Sequence, residues 1–303
     1  MDVSIICPIH GDGRHLHQTL ESIKAQNFTG TMELIIILDR CSENVPAKIR
    51  EFSRLLDIKV VHSKNPGLVA ALNLGLQNAT GKYVARIDAD DMMMPTRIEK
   101  QFNFMESNYD VDVLGSSVIE INEYGVQIGL RCYPEKPLVM HASLAKQCTI
   151  AHPSVMFRLN SILAIGSYRP FFEHAEDYDL WLRARECGLI LSNNEPLTYY
   201  RIHPGQISTI QHRQRVFGSY SVRINSLLER RKLRNLIDRY ETFDRWAKSI
   251  IGRVLYKYVA LRIYLAEKMK NQEENEFRNN RFDRFLFGMI FARIKKFKEG
   301  RKR

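Results

Sequence analysis

The chain has 303 residues, 45% of them hydrophobic and 26% charged, with a formal net charge of +11. That length holds one large domain or two, with ample core for a sheet flanked by helices. The five cysteines, Cys7, Cys41, Cys132, Cys148 and Cys187, are odd in number and form no CxxC pair, which excludes paired zinc or redox motifs and suits a reducing cytoplasm.

Met1-Asp2-Val3-Ser4-Ile5 lacks the basic start and apolar core of a secretory signal, and no apolar run approaches the roughly 18 residues of a spanning helix. A soluble or peripheral protein is expected. Charge is unevenly placed: residues 211–303 carry 25 Lys and Arg against 10 Asp and Glu, net +15, leaving 20 against 24, net −4, for residues 1–210. Such a tail calls for a polyanionic partner, either nucleic acid or an anionic membrane surface.

In chain order, Val3 to Ile9 is predicted as a buried strand, His15 to Gln26 as a helix, Glu33 to Leu38 as a strand and Pro46 to Leu56 as a helix. Ile58 to His62 follows as a strand, Gly67 to Gln77 as a helix and Tyr83 to Ile87 as a strand. This alternation predicts a mostly parallel α/β sheet, whose ligands collect at the carboxyl ends of the strands. Asp39 and Asp88 both fall at such ends. From Pro95 the pattern becomes α+β: a helix over Thr96 to Ser107, strands over Val113 to Glu120 and His152 to Arg158, a helix over Tyr178 to Gly188, and a strand over Leu197 to Ile202. Beyond about Gln211 the chain reads as helical, basic and rich in aromatics.

Asp88-Ala89-Asp90-Asp91 packs three carboxylates at a strand exit. Crowded like charges resist desolvation, so the cluster either surrounds a cation such as Mg²⁺ or Mn²⁺ with a substrate diphosphate, or forms a solvated loop with a helix cap. Asp177, beside Glu176 at a helix start, either complements the helix dipole or serves as a general base for a sugar hydroxyl. His203, in a turn after a strand, is structural, a metal ligand or a phosphate contact. Arg201 and Lys64 are further candidates for diphosphate charge.

Five ordered motifs carry a resemblance: Val3-Ser4-Ile5-Ile6-Cys7-Pro8-Ile9-His10, Leu38-Asp39-Arg40-Cys41-Ser42-Glu43, Ala85-Arg86-Ile87-Asp88-Ala89-Asp90-Asp91, His152-Pro153-Ser154-Val155-Met156-Phe157-Arg158, and Ala175-Glu176-Asp177-Tyr178-Asp179-Leu180-Trp181-Leu182-Arg183. Tyr200-Arg201-Ile202-His203 extends them. Over residues 2 to 210 the chain resembles the family 2 glycosyltransferases of GT-A fold, especially bacterial enzymes of surface-polysaccharide synthesis (O-antigen, capsule, exopolysaccharide).

The resemblance implies a nucleotide-sugar donor, with Pro8, Ile9 and His10 near the nucleoside, Asp39 on the base, Asp88 on the ribose, and Lys64 on the nucleotide side. It places metal at Asp90 with His203, the catalytic base at Asp177, supporting roles at Asp91, Glu176 and Arg201, and the acceptor side at His152 and Ser154. Leu38 stands where the family commonly has a first acid, Gly11 where an Asn is frequent, and the Gln-x-x-Arg-Trp signature of processive members is absent after residue 190.

The expectation is therefore an α/β protein of GT-A fold. Residues 1–95 would form a nucleotide-sugar half, 96–212 an acceptor-binding α+β half, and 213–303 a basic helical region. Its reaction would be inverting transfer of one galactose, glucose or N-acetylhexosamine from a UDP-sugar, with Mn²⁺ or Mg²⁺, to a saccharide acceptor on polyprenyl diphosphate. The tail, with Phe282, Phe285, Leu286, Met289 and Ile290 beside Arg293, Lys295 and Lys296, would either lie at the inner face of the cytoplasmic membrane or pack on the catalytic domain. A nucleic-acid-binding protein acting through the tail, which leaves the acidic crevice unexplained, and a metal-dependent nucleotidyltransferase are the rival readings.

Overall fold

The computed structural model describes residues 1–206 and the single positions Gly218, Ser219, Val222 and Ser226. Met1–His212 forms one compact unit and Arg213–Arg303 a second. The expected interfacial helix of the tail lies outside the described residues. No helix among the described residues is long and apolar enough to cross a membrane.

The first unit is built on one mixed sheet. Strands β1 (Val3–Gly11), β2 (Met32–Cys41), β3 (Ile58–His62) and β4 (Tyr83–Arg86) run parallel in the order β3-β2-β1-β4. The sheet continues through β8 (Met156–Arg158), antiparallel to β4, then β6 (Val111–Ile121), β9 (Leu189–Arg201) and the two-residue β5 (Met92–Met93). Strand β7 (Gln127–Arg131) makes a hairpin with β6. The donor and acceptor halves expected from sequence thus share one continuous sheet.

Residues Val3 to Ile9 are buried without alternation, as expected of a parallel strand covered on both faces. One face packs on α1 (Leu16–Lys24) and α2 (Val45–Arg50). Leu16, Leu20 and Ile23 recur at helical spacing and join Ile5, Cys7, Leu34 and Ile36 in the core. The other face meets α3 (Leu68–Asn78). Gly75 sits at that contact: a Cβ there would lie 2.7 Å from Ile6 Cγ2, so a residue costly inside a helix permits close packing on the sheet.

The remaining helices are α4 (Arg97–Ser107), α5 (Pro137–Leu144), α6 (Leu159–Ala164) and α7 (Glu176–Ala184). Three differences from the sequence reading matter. The strand expected over His152 to Arg158 opens as a 3₁₀ turn at His152–Ser154, because Pro153 fixes its own φ and has no N–H for a ladder, and becomes a strand only at Met156. Helix α7 starts two residues earlier than expected, placing Glu176 and Asp177 inside its first turn. Strand β9 begins at Leu189, eight residues before the predicted start. Its middle, Asn193-Asn194-Glu195-Pro196, has turn composition, and the pairing with β6 shifts register there.

Candidate active site

The carboxyl ends of β1, β2 and β3 carry the first group of residues. Pro8 and Ile9 are buried and His10 is exposed. His10 Nδ1 lies 2.9 Å from the backbone oxygen of Asp39, its register partner on β2. Asp39 is buried, and its Oδ2 accepts the Gly67 N–H at 2.8 Å. Gly67 precedes α3 with φ of 105°, a conformation that L side chains rarely adopt. A carboxylate at this helix start is favoured by the dipole. Arg40 Nε donates to Asp39 Oδ1 at 3.3 Å. Lys64 is exposed in the loop between β3 and α3.

The acidic loop leaves β4 next. Arg86, 2% exposed, forks its guanidinium onto both oxygens of Asp88. Burial nevertheless pushes the Asp88 carboxyl up to about 6; the Arg86 charge opposes the rise, and the Asp90 and Asp177 charges add to it. Asp90 Oδ2 is 2.9 Å from His203 Nε2. Asp91 is fully buried: its Oδ1 accepts the Arg201 backbone N–H at 2.7 Å, and its Oδ2 has no hydrogen-bond partner among the described residues. Burial, with Asp90 and Asp88 nearby, raises its carboxyl well above the usual range.

One ligand oxygen from each of Asp88, Asp90 and Asp91 lies within 4.8 Å of the others. A hard oxygen donor set with an unsatisfied buried carboxylate oxygen fits Mg²⁺ or Mn²⁺.

Helix α7 carries the next group, close enough for the Asp177 charge to act on Asp88. Asp177 is half-buried, its Oδ1 accepting the Tyr178 N–H at 2.7 Å and its Oδ2 lying 3.6 Å from the Cys148 thiol. Glu176, beside it, is buried; desolvation and then the Asp177 charge push its carboxyl up to about 8. Asp179 is also buried but serves the scaffold. It pairs with Arg169 and Arg183, and Arg183 reaches the carbonyls of Ile165 and Ser167, each at 2.6 Å.

Three expectations are corrected. Arg201 is fully buried, and its side chain is spent on Asp90 O, Asn122 O, Glu123 O and Gln18 Oε1. It braces the acidic loop and is not a charge for diphosphate. His152 lies inside, its Nε2 2.8 Å from the Tyr168 hydroxyl, and burial holds its imidazole well below the usual range. Ser154 is fully buried, with Oγ within 3.1 Å of the Ser116 and Ala151 carbonyls. Both side chains are buried and spent on protein partners, His152 on Tyr168 and Ser154 on the turn before β8 and on β6. The sequence reading assigned no part to Arg86, Cys148 or Gly67. A lone arginine inside the apolar run Tyr83 to Ile87 was the available signal for the first.

The model for glycosyl transferase family 2 matches residues 4–161. The chain belongs to this family. This glycosyltransferase is 35% identical over 181 residues to the amylovoran biosynthesis glycosyltransferase AmsE of Erwinia amylovora, covering 59% of this chain and 67% of that one. It is 31% identical over 241 residues to the O-antigen biosynthesis glycosyltransferase WbnJ of Escherichia coli, covering 78% and 92%. Its fold matches S. aureus TarS 1–349 in complex with UDP-GlcNAc, with a TM-score of 0.60 at 16% identity over 86% of this chain and 79% of that one. It also matches the mannosyltransferase PcManGT of Pyrobaculum calidifontis in complex with GDP-Man and Mn²⁺, with a TM-score of 0.55 at 14% identity, covering 88% and 75%. The architecture is the GT-A fold.

Glu176 gives this site a measurable pH signature. Between the ordinary value of 4.5 and the native value of about 8, the folded glycosyltransferase keeps a proton that the unfolded chain has released. Stability attributable to this group therefore falls as pH rises through that window and is level above it. Glu176→Gln is expected to gain stability over the parent at pH 9 and to lose that advantage towards pH 4.5, read by urea unfolding of the metal-free protein. Parallel pH profiles for parent and variant would show that Glu176 does not titrate this way.

Proposed function

We propose that this glycosyltransferase moves one hexose from a UDP-sugar to a saccharide acceptor by a single inverting displacement. The observation that carries the proposal is the convergence of Asp88, Asp90 and His203 at one end of the sheet with Asp177 on α7, near enough for its charge to raise the Asp88 carboxyl. His10 and Asp39, at neighbouring strand ends, suit a nucleobase, with Pro8 and Ile9 as its apolar floor and Lys64 at the rim. Asp88 suits the ribose.

In this reading Asp177 accepts the proton of an acceptor hydroxyl. The oxygen forms its bond to the anomeric carbon as the bond from that carbon to the diphosphate breaks on the opposite face, and the nucleoside diphosphate departs with the electron pair. Asp90 and His203, with Asp91 beside them, are the residues that would hold a divalent cation. When bound, such an ion supplies positive charge against the developing diphosphate. Arg86 keeps Asp88 oriented despite its neighbours, and Glu176, largely protonated at neutral pH, adds little negative charge beside Asp177.

Galactose or glucose is the leading donor sugar, with N-acetylhexosamine next. UDP and Mn²⁺ are supported by the ligands named for the structural neighbours, UDP-GlcNAc for TarS and Mn²⁺ for PcManGT, while GDP-Man in the latter makes base selectivity part of the test. Surface-polysaccharide synthesis is supported by the roles named for AmsE and WbnJ, amylovoran and O-antigen biosynthesis; in this reading the acceptor is carried on polyprenyl diphosphate at the cytoplasmic face of the membrane. Residues 1–95 and 96–212 act as donor and acceptor halves, and the strongly basic residues 213–303 bring the enzyme to an anionic surface.

A panel of nucleotide sugars with Mn²⁺ or Mg²⁺, scored for nucleoside diphosphate release with lipid-linked acceptors, identifies the donor. With that donor, Asp177→Asn is expected to bind UDP as the parent does and to lose about 10² to 10⁴-fold in transfer. Asp90→Ala loses Mn²⁺-dependent UDP binding. Near-normal transfer by Asp177→Asn would remove it as the base. Sedimentation with anionic vesicles tests the tail: a chain ending at residue 275 should bind less than the full chain, and equal binding removes the anchor.

A further inference from the structure

A general base at a helix start has a torsional problem. The terminal torsion of an Asp side chain is broad and roughly two-fold, so one contact along the helix leaves the plane of the carboxylate loosely set. Proton abstraction needs an oxygen aimed at the hydroxyl within hydrogen-bond reach. Asp177 Oδ1 has its local contact, the Tyr178 N–H at 2.7 Å. Its Oδ2 is met by the Cys148 Sγ at 3.6 Å, from the segment between α5 and the His152–Ser154 turn, 29 residues away in sequence.

We propose that Cys148 is a positioning residue for transfer, its thiol donating to Asp177 Oδ2 so that the carboxylate plane is fixed relative to the acceptor hydroxyl. The proposal rests on the reading of Asp177 as the base. The thiol also lies 3.6 Å from the Ile150 carbonyl, and it has a single proton. An ionised carboxylate is the stronger acceptor of the two, so the proton is directed to Asp177 in the state that does the chemistry.

The chemistry of the donor suits the task. A Lys or Arg in this place would hold the carboxylate as firmly but would stabilise its charge and weaken it as a base. A thiol is neutral and a weak donor, so it orients with little loss of basicity. Burial, and next the Asp177 charge, push the Cys148 thiol well above its ordinary range, so it stays protonated at neutral pH. Asp88, Glu176 and Tyr168 also feel the Asp177 charge, and each is raised by it. Cys148 in addition donates a hydrogen bond to the carboxylate.

The test uses the full chain, UDP release from the donor that the panel identifies, and UDP binding by calorimetry. Cys148→Ala is expected to lower kcat on the order of tenfold, with donor KM and UDP affinity within about twofold of the parent. Cys148→Ser, which restores a donor, should recover most of the loss, whereas Cys148→Val, which fills the space without one, should not. If the alanine variant misfolds, the serine and valine pair carries the comparison. Equal kcat for serine and valine, or parental kcat for alanine while Asp177→Asn is inactive, overturns the positioning role and leaves the base in place. Near-normal turnover by Asp177→Asn overturns both.

Discussion

Charge crowding is the constraint on which this molecule depends. Asp88, Asp90, Asp91, Glu176 and Asp177 gather at one end of the sheet, and burial there works against the ionised forms of Asp88, Asp91 and Glu176. The fold compensates with two arginines from inside the protein. Arg86 spends its fork on Asp88. Arg201 braces the loop from β9, tying the Asp90 carbonyl to the β6–β7 turn and to Gln18 on α1, while its backbone N–H holds Asp91. Neither arginine is at the surface; hydrogen bonds to the loop and to neighbouring carbonyls offset part of their cost of burial, while the Arg86 Nε has no partner among the described residues.

The same economy fixes α7 relative to the parallel strands. Asn73 on α3 clasps the backbone of Tyr168 through two hydrogen bonds, of 2.8 and 3.0 Å, so the segment leading to α7 is tied to the helix between β3 and β4. Asp179 with Arg169 and Arg183 then locks that segment to the helix carrying Asp177. Two aspartates two positions apart have separate work. Asp177 stays half-exposed, and Asp179 is buried in ion pairs with Arg169 and Arg183. A candidate site built across one sheet, with hydrogen-bonded links between the elements that carry it, is held in one geometry by the fold itself.

Much of this was legible in the residues, for identifiable reasons. Val3 to Ile9 and Ile58 to His62 announce strands because short β-branched runs bounded by polar turns have few other solutions. Asp39 and Asp88 were placed correctly because parallel strands put their carboxyl ends on one side. Burial was not legible. His152, Ser154 and Arg201 are polar residues in recognisable motifs, and nothing in their type distinguishes a side chain that meets substrate from one that satisfies a buried carbonyl. The first part of β9 was missed because Asn193-Asn194-Glu195-Pro196 looks like a turn until β6 is present to pair with it, and α6 because its six residues are too few for helical periodicity to stand out. The Cys148 contact with Asp177 spans 29 residues and has no local signal.

The central claim is a single displacement with Asp177 as the base, and the stereochemistry at the anomeric carbon tests it most directly. Proton NMR of the product formed from an α-linked UDP-sugar should show a β-glycoside from the first turnover. An α-glycoside would mean that the configuration is retained, and the one-step reading of this site would be wrong.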